Sequence, residues 1–192
     1  MSRLLLEIGS RHGGFIETLA RRNPTDECLG VEYRGIWVRD AREKAKRRGI
    51  QNIRYLCLDA RMVVAHLLGA QEASEVYVLF PDPWPKKRHR RRRLLQASFL
   101  SQLARVMKPG AALFVLTDVA AYADFVREEA ARVPELRPLP QDRWPDEALW
   151  GPTRRERVTH LLEGKVERVF LERCTQHHEP LGKSMSSPRQ RP

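Results

Sequence analysis

Residues Leu4–Gly14 read LLLEIGSRHGG, and how this stretch is parsed decides the fold. The apolar run from Leu4 to Ile8, broken only by Glu7, suits a short strand buried on both faces. Gly9 and the Gly13-Gly14 pair mark a turn. Phe15, Ile16, Leu19 and Ala20 then fall on one face of an amphipathic helix. Asn23-Pro24 ends that helix, because proline cannot continue one and restricts the residue before it. A strand, a glycine turn and a helix in that order let backbone approach a ligand at a helix N-terminus.

The same unit recurs downstream. The pattern predicts strands at Cys28–Glu32, Ile53–Leu58, Glu75–Phe80 and Ala112–Thr117, a short one at Leu136–Leu139, and a last one at Val166–Glu172. Helices are predicted at Ile36–Arg48, closed by Gly49, at Arg61–Leu68, and at Ala121–Val133. Another carries Leu95, Phe99, Leu103 and Val106 and stops at Lys108-Pro109-Gly110. Trp37, Val38, Ala41 and Ala45 make one apolar helix face. Gln141–Arg157 lacks a period and reads as a loop, and the polar stretch from about Gln176 reads as a disordered tail. Alternation of this kind predicts an α/β fold with a mostly parallel central sheet and helices on both faces. Residues 1–173 would form one domain and 174–192 the tail.

The 192 residues are enough for a full core, and 42% hydrophobic with 31% charged is a globular composition. Net charge is +11, and residues 86–93, KKRHRRRR, carry seven of the 35 Lys and Arg; without those seven the chain would carry +4. The charge is therefore a patch. It suits phosphate, although a solvated run or an anion trap has the same composition. Cys28, Cys57 and Cys174 form no CxxC pair, so neither a zinc site nor a disulfide framework is supported and no metal is expected. Cys28 and Cys57 lie in strand-like runs and are expected to be buried. No apolar run is long enough to span a membrane, and a reducing, cytoplasmic compartment is expected.

Three strand ends would converge on one crevice: Gly9, Glu32 to accept ribose hydroxyls, and Asp59 to reach an adenine amine. Dinucleotides and S-adenosylmethionine both use this geometry. The spacing here is G-x-x-x-G-G rather than G-x-G-x-x-G, which counts against a dinucleotide. Glycine turns and strand-terminal acids also occur in α/β proteins without any cofactor. The block Phe80–Arg93, FPDPWPKKRHRRRR, is more specific. Its three prolines hold it off helix, and Trp84 either offers a face to a base or packs into the sheet.

With Glu7-Ile8-Gly9, Gly30-Val31-Glu32, Asp59-Ala60, Thr117-Asp118 with Tyr122, and Thr153 with Glu156, this block makes the chain resemble the bacterial tRNA (guanine-N7)-methyltransferases, the TrmB family, from about Leu4 to Arg173. The resemblance implies a Rossmann-like class I methyltransferase fold. It also implies methyl transfer from S-adenosylmethionine to N7 of the variable-loop guanosine, position 46, of tRNA. By position, it places Glu7, Gly9, Glu32, Asp59 and Asp82 on the cofactor, with Asp82 also the catalytic residue. Lys86, Asp118, Thr153, Arg154, Arg155 and Glu156 would contact the substrate, and Arg88, His89, Arg90, Arg91, Arg92 and Arg93 the RNA backbone.

Three departures stand out. Arg11 replaces the second glycine of the family's first loop, and either crowds the methionine end of the cofactor or pairs with its carboxylate. The late motif reads TRRE. The first strand starts at Leu4, so the family's N-terminal segment would be short or absent. Arg11 and the short N-terminus motivate an alternative, a non-catalytic tRNA-binding protein on a degenerate methyltransferase scaffold. A small-molecule methyltransferase and a nucleotide-dependent oxidoreductase are weaker alternatives.

Overall fold

The computed structural model describes residues 2–145 and 153–174, without the side chains of Lys87 and Arg154. The described strands are β1 (Leu4–Ile8), β2 (Glu27–Val31), β3 (Ile53–Leu56), β4 (Ala73–Leu79), β5 (Met107–Thr117), β6 (Leu136–Pro138) and β7 (Glu167–Arg173). They form one sheet in the order β3-β2-β1-β4-β5-β7-β6. The first five pair in parallel, and β7 lies antiparallel between β5 and β6. Parallel strands need crossovers, supplied by α1 (Gly14–Arg22), α2 (Gly35–Arg47), α3 (Ala60–Met62, continued by a π turn at Val63–Leu67) and α4 (Ala97–Val106), while α5 (Ala120–Ala130) leads from β5 to β6.

Period two along the strands sorts the core into two layers. Leu6, Ile8, Leu29, Val31, Val76 and Val78 face Leu100, Leu103, Tyr122 and Phe125 of α4 and α5. Leu5, Cys28 and Tyr77 face Ile16 and Leu19 of α1 and Val38 and Ala41 of α2. Glu7, two residues after Leu5, shares the second face. Strand register then sets a row of Tyr55, Gly30, Glu7, Tyr77, Phe114 and Phe170 across that face. The aromatic members touch, Tyr77 and Phe114 at 5.1 Å and Phe114 and Phe170 at 5.2 Å between ring centroids.

Several expectations need correction. The predicted loop Gln141–Arg157 contains a 3-10 turn at Gln141–Arg143 and the start of a helix, α6 (Arg154–Leu161). Its period was invisible because α6 exposes Leu161 and shows no apolar face to the core. Lys108-Pro109-Gly110 does not separate helix from strand: β5 begins at Met107 and carries those residues through an irregularity in its pairing with β4. Cys57 is exposed because β3 ends at Leu56, whereas Cys28 is buried and burial pushes its thiol up to about 12. The predicted tail lies outside the described residues, apart from Cys174. No helix among the described residues is long and apolar enough to cross a membrane, and no His, Cys, Asp and Glu cluster among them suits a metal.

Candidate active site at the ends of β1 and β4

Strand order reverses at β1, whose neighbours are β2 on one side and β4 on the other. The crevice outside the carboxyl ends of such a pair is where open α/β sheets bind ligands. Backbone strain gathers in the two loops that leave these strands. After β1, Gly9, Arg11 and Gly13 all have positive φ, and after β4 so do Phe80 (51°) and Trp84 (41°). A left-handed non-glycine residue costs about 1–2 kcal/mol, so the surrounding contacts must hold both loops.

The glycine loop is held from β2. Gly9 and Ser10 both donate N–H to the Val31 carbonyl, at 2.8 and 3.1 Å. The Glu32 carboxylate accepts from Arg11 N–H at 3.2 Å and from Arg34 N–H at 2.9 Å, which staples the first loop to the one after β2. Each of its oxygens keeps a further lone pair. Gly13 must be glycine: with φ at 73°, a Cβ there would lie 2.3 Å from the buried Tyr55 hydroxyl. A Cβ at Gly9 would meet nothing within 4 Å, so this backbone is open to a ligand. Glu7 is buried and accepts from Ile16 N–H at 3.1 Å in the first turn of α1. Burial first, then the nearby Glu32 charge, push its carboxyl up to about 8 against that hydrogen bond.

The Arg11 side chain rests against α2. Its left-handed backbone swings the exposed side chain outward, and the guanidinium lies 4.8 Å from the centroid of Trp37 in α2. Arg34 lies over the same ring at 4.5 Å and His12 beside it at 5.5 Å. Trp37 is therefore half-buried under cations rather than a core residue like Val38, Ala41 and Ala45.

Beyond β3, Asp59 caps α3 by accepting from Arg61 N–H at 2.7 Å, and remains exposed. Tyr33, Ile36, Leu58 and Met62 expose apolar surface around the ends of β2 and β3. Cys57 Sγ, 3.8 Å from the Tyr33 carbonyl, ties the two segments together. Asp82, on the loop after β4, is exposed. The Arg34 guanidinium is held above its ordinary range by the Tyr33 hydroxyl first, with Glu32 and Asp82 adding to it. Burial pushes the Tyr122 hydroxyl up to about 12, and Asp82 adds to that shift. Asp82 is therefore within electrostatic reach of both Arg34, at the β2 side of the crevice, and Tyr122 of α5.

The basic run folds as a 3-10 helix, Lys87–Arg92, and its side chains divide. Arg93 turns inward onto the carbonyls of Pro83 and Trp84, and Arg90 pairs with Glu128 at 3.0 Å. Arg92 lies over the Trp84 ring at 4.9 Å, His89 meets its edge at 5.6 Å, and Arg88 donates to His89. Lys86 and Arg91 are exposed, and neither meets an acidic group among the described residues. Trp84 thus packs within its own basic block.

On the other side of β5, Asp118 accepts from Arg155 at 2.8 and 2.5 Å. Thr153 and Glu156 form a reciprocal capping box at the start of α6, and Glu156 lies 3.8 Å from Arg168. These hydrogen bonds use the groups that the family pattern sets against substrate. The Arg154 side chain is outside the description. Sequence patterns gave no signal for Trp37 or Tyr55 as parts of this site, since each meets segments distant in the chain, and none for Arg34, which is set by its neighbours Glu32, Tyr33 and Trp37.

Comparison with known proteins agrees with this geometry. Residues 2–169 match the model of a family described as "Putative methyltransferase". A tRNA (guanine-N(7)-)-methyltransferase of Treponema pallidum is 36% identical over 169 residues, 88% of this chain and 66% of that protein. One from Caulobacter vibrioides is 42% identical over 132 residues, 69% of this chain and 58% of that protein. The chain thus spans under two thirds of the length of these relatives. Among solved structures, the 16S rRNA methyltransferase KamB superposes with a TM-score of 0.63 at 20% identity, covering 90% of this chain and 88% of that one. A SAM-dependent O-methyltransferase from Thermotoga maritima gives 0.62 at 13% identity, covering 93% and 62%. The fold is the Rossmann-like one of class I methyltransferases, and the chain belongs to the methyltransferase family whose model spans it.

Proposed function

We propose that this chain is an S-adenosylmethionine-dependent tRNA (guanine-N7)-methyltransferase acting in the cytoplasm on the variable-loop guanosine at position 46. One observation carries the reading: the open glycine loop and the Asp82 loop leave adjacent strands, and the basic helix leads directly away from the second. On this reading, cofactor crevice and RNA grip adjoin. The relatives named for this reaction point the same way.

The residues present fit the cofactor. Glu32 keeps lone pairs for ribose hydroxyls, Tyr33, Ile36, Leu58 and Met62 offer apolar walls to adenine, and Gly9 leaves backbone open to the methionine end. The bound cofactor supplies an electrophilic methyl group. N7 of guanine has a lone pair and no proton, so the chain needs no strong base there. Its work is alignment, which can lower a barrier by roughly 7–11 kcal/mol. The exposed Asp82 carboxylate suits the guanine N1–H and N2 amine, and so selects guanine over adenine. Lys86, Arg88, Arg91 and Arg92 supply phosphate contacts that position the RNA without reading its sequence.

Transfer of labelled methyl to unmodified tRNA, with the modified nucleotide then mapped, tests the reading. Label at N7 of the variable-loop guanosine is expected; cofactor binding without transfer to any tRNA would overturn it. Asp82→Asn is expected to reduce turnover at saturating tRNA roughly 10²-fold, and full turnover would remove the role given to Asp82.

A further inference from the structure

Arg93 ends the basic run, and its surroundings differ from those of its neighbours. Its Nε donates to the Pro83 carbonyl at 2.9 Å and its Nη2 to the Trp84 carbonyl at 3.3 Å. The guanidinium lies 4.6 Å from the centroid of Phe125 and 5.7 Å from that of Tyr122, both in α5. Its own carbonyl accepts from Gln96 at 2.9 Å and from Arg61 at 3.4 Å. The side chain is half-buried, unlike the exposed Arg88, Arg90, Arg91 and Arg92.

We propose that Arg93 is a positioning residue that holds the Asp82 turn over the crevice, and not a phosphate ligand. Residues 81–85 lie outside helix and strand, and three of the five are prolines, which have no N–H with which to pair the turn. Phe80 N–H reaches Leu116 at 2.8 Å, anchoring the start of the loop to β5. The far end, where Trp84 is left-handed, is anchored by the Arg93 fork. The planar guanidinium gives two donors in fixed directions while its face rests on an aromatic ring; an ammonium gives neither geometry. Tyr122 and Phe125 form the seat, so α5 fixes the height of the turn above the sheet. The inference rests on the reading of Asp82 given above.

Arg93→Lys separates the two roles, because it keeps the charge and loses the fork. Measured on the full chain, turnover at saturating tRNA is expected to fall about 10–100-fold, with tRNA affinity within about two-fold and its salt slope unchanged. Amide exchange at Phe80 and His89, whose N–H groups bond to Leu116 and Lys86 at the two ends of the loop, should rise while β4 and β5 stay protected. Arg93→Ala should lose more turnover, and adding Asp82→Asn to it should cost less than the product of the two single losses. Should Arg93→Ala not fold, the lysine variant alone carries the test. Turnover intact in Arg93→Ala, with weaker tRNA binding and a salt slope shallower by about one, would make Arg93 a phosphate ligand and overturn the proposal. If Asp82→Asn alone proved silent, the reading of Asp82 would fail. The exchange and binding data on Arg93→Lys would still decide whether Arg93 holds the turn.

Discussion

Glu7 lies on the α1 face of β1 with its carboxylate sealed under the first turn of the helix, beside the Glu32 charge. Its folded value of about 8 is above the unfolded value near 4.3. A raised carboxyl contributes fully only below the unfolded value, so stability should be lost progressively from about pH 4 up to 8. Glu7→Gln imitates the protonated carboxyl and keeps an acceptor for Ile16 N–H. Its urea midpoint should match the parent protein near pH 5 and exceed it at pH 8.5 by roughly 2–4 kcal/mol of stability. Parallel profiles would show that burial does not hold the proton there.

Among the elements, α6 buries no hydrophobic side chain. Val158, Leu161 and Leu162 are exposed, so its stability rests on the Thr153–Glu156 capping box, the Glu156–Arg168 contact and the Arg155–Asp118 pair. Loss of an N-cap costs about 1 kcal/mol, roughly a five-fold shift in a local opening equilibrium. Thr153→Ala should therefore raise amide exchange over Arg157–Leu161 about five-fold and leave the central strands unchanged. Unaltered exchange would mean that the cap does not hold α6. The same hydroxyl is a substrate group in the family pattern, and the exchange measurement reads the capping role separately from turnover.

For the whole molecule, the electrostatic consequence is a division of labour in the basic run. If all seven basic side chains met phosphate, log affinity would fall with log salt at a slope near −6, taking about −0.9 per contact. Arg90 is paired with Glu128 and Arg93 is turned inward, which leaves Lys86, Arg88, Arg91 and Arg92 as the outward set among the described side chains. The expected slope for tRNA from these four is nearer −4, read from binding titrations between 50 and 200 mM salt. A slope near −6 would show that the inward arginines are recruited on binding, and a flat response would remove RNA as the partner.

The sequence by itself determined the parallel sheet, its first glycine loop and the block that carries Asp82. Strands buried on both faces leave continuous apolar runs, and turns need glycine and proline wherever they occur. Period two even placed Glu7 on the same face as Leu5. It did not show α6, whose helix is closed by side-chain caps rather than an apolar stripe, or the exposure of Cys57, which depends on where β3 stops. Nor could it divide the arginines of the run. Their chemistry is identical along the chain, and only the approach of α5, bringing Tyr122, Phe125 and Glu128 against the run, decides which of them turn inward. Arg11 is the same case: its identity was legible, but whether it crowds the crevice depends on Trp37 of α2, twenty-six residues away.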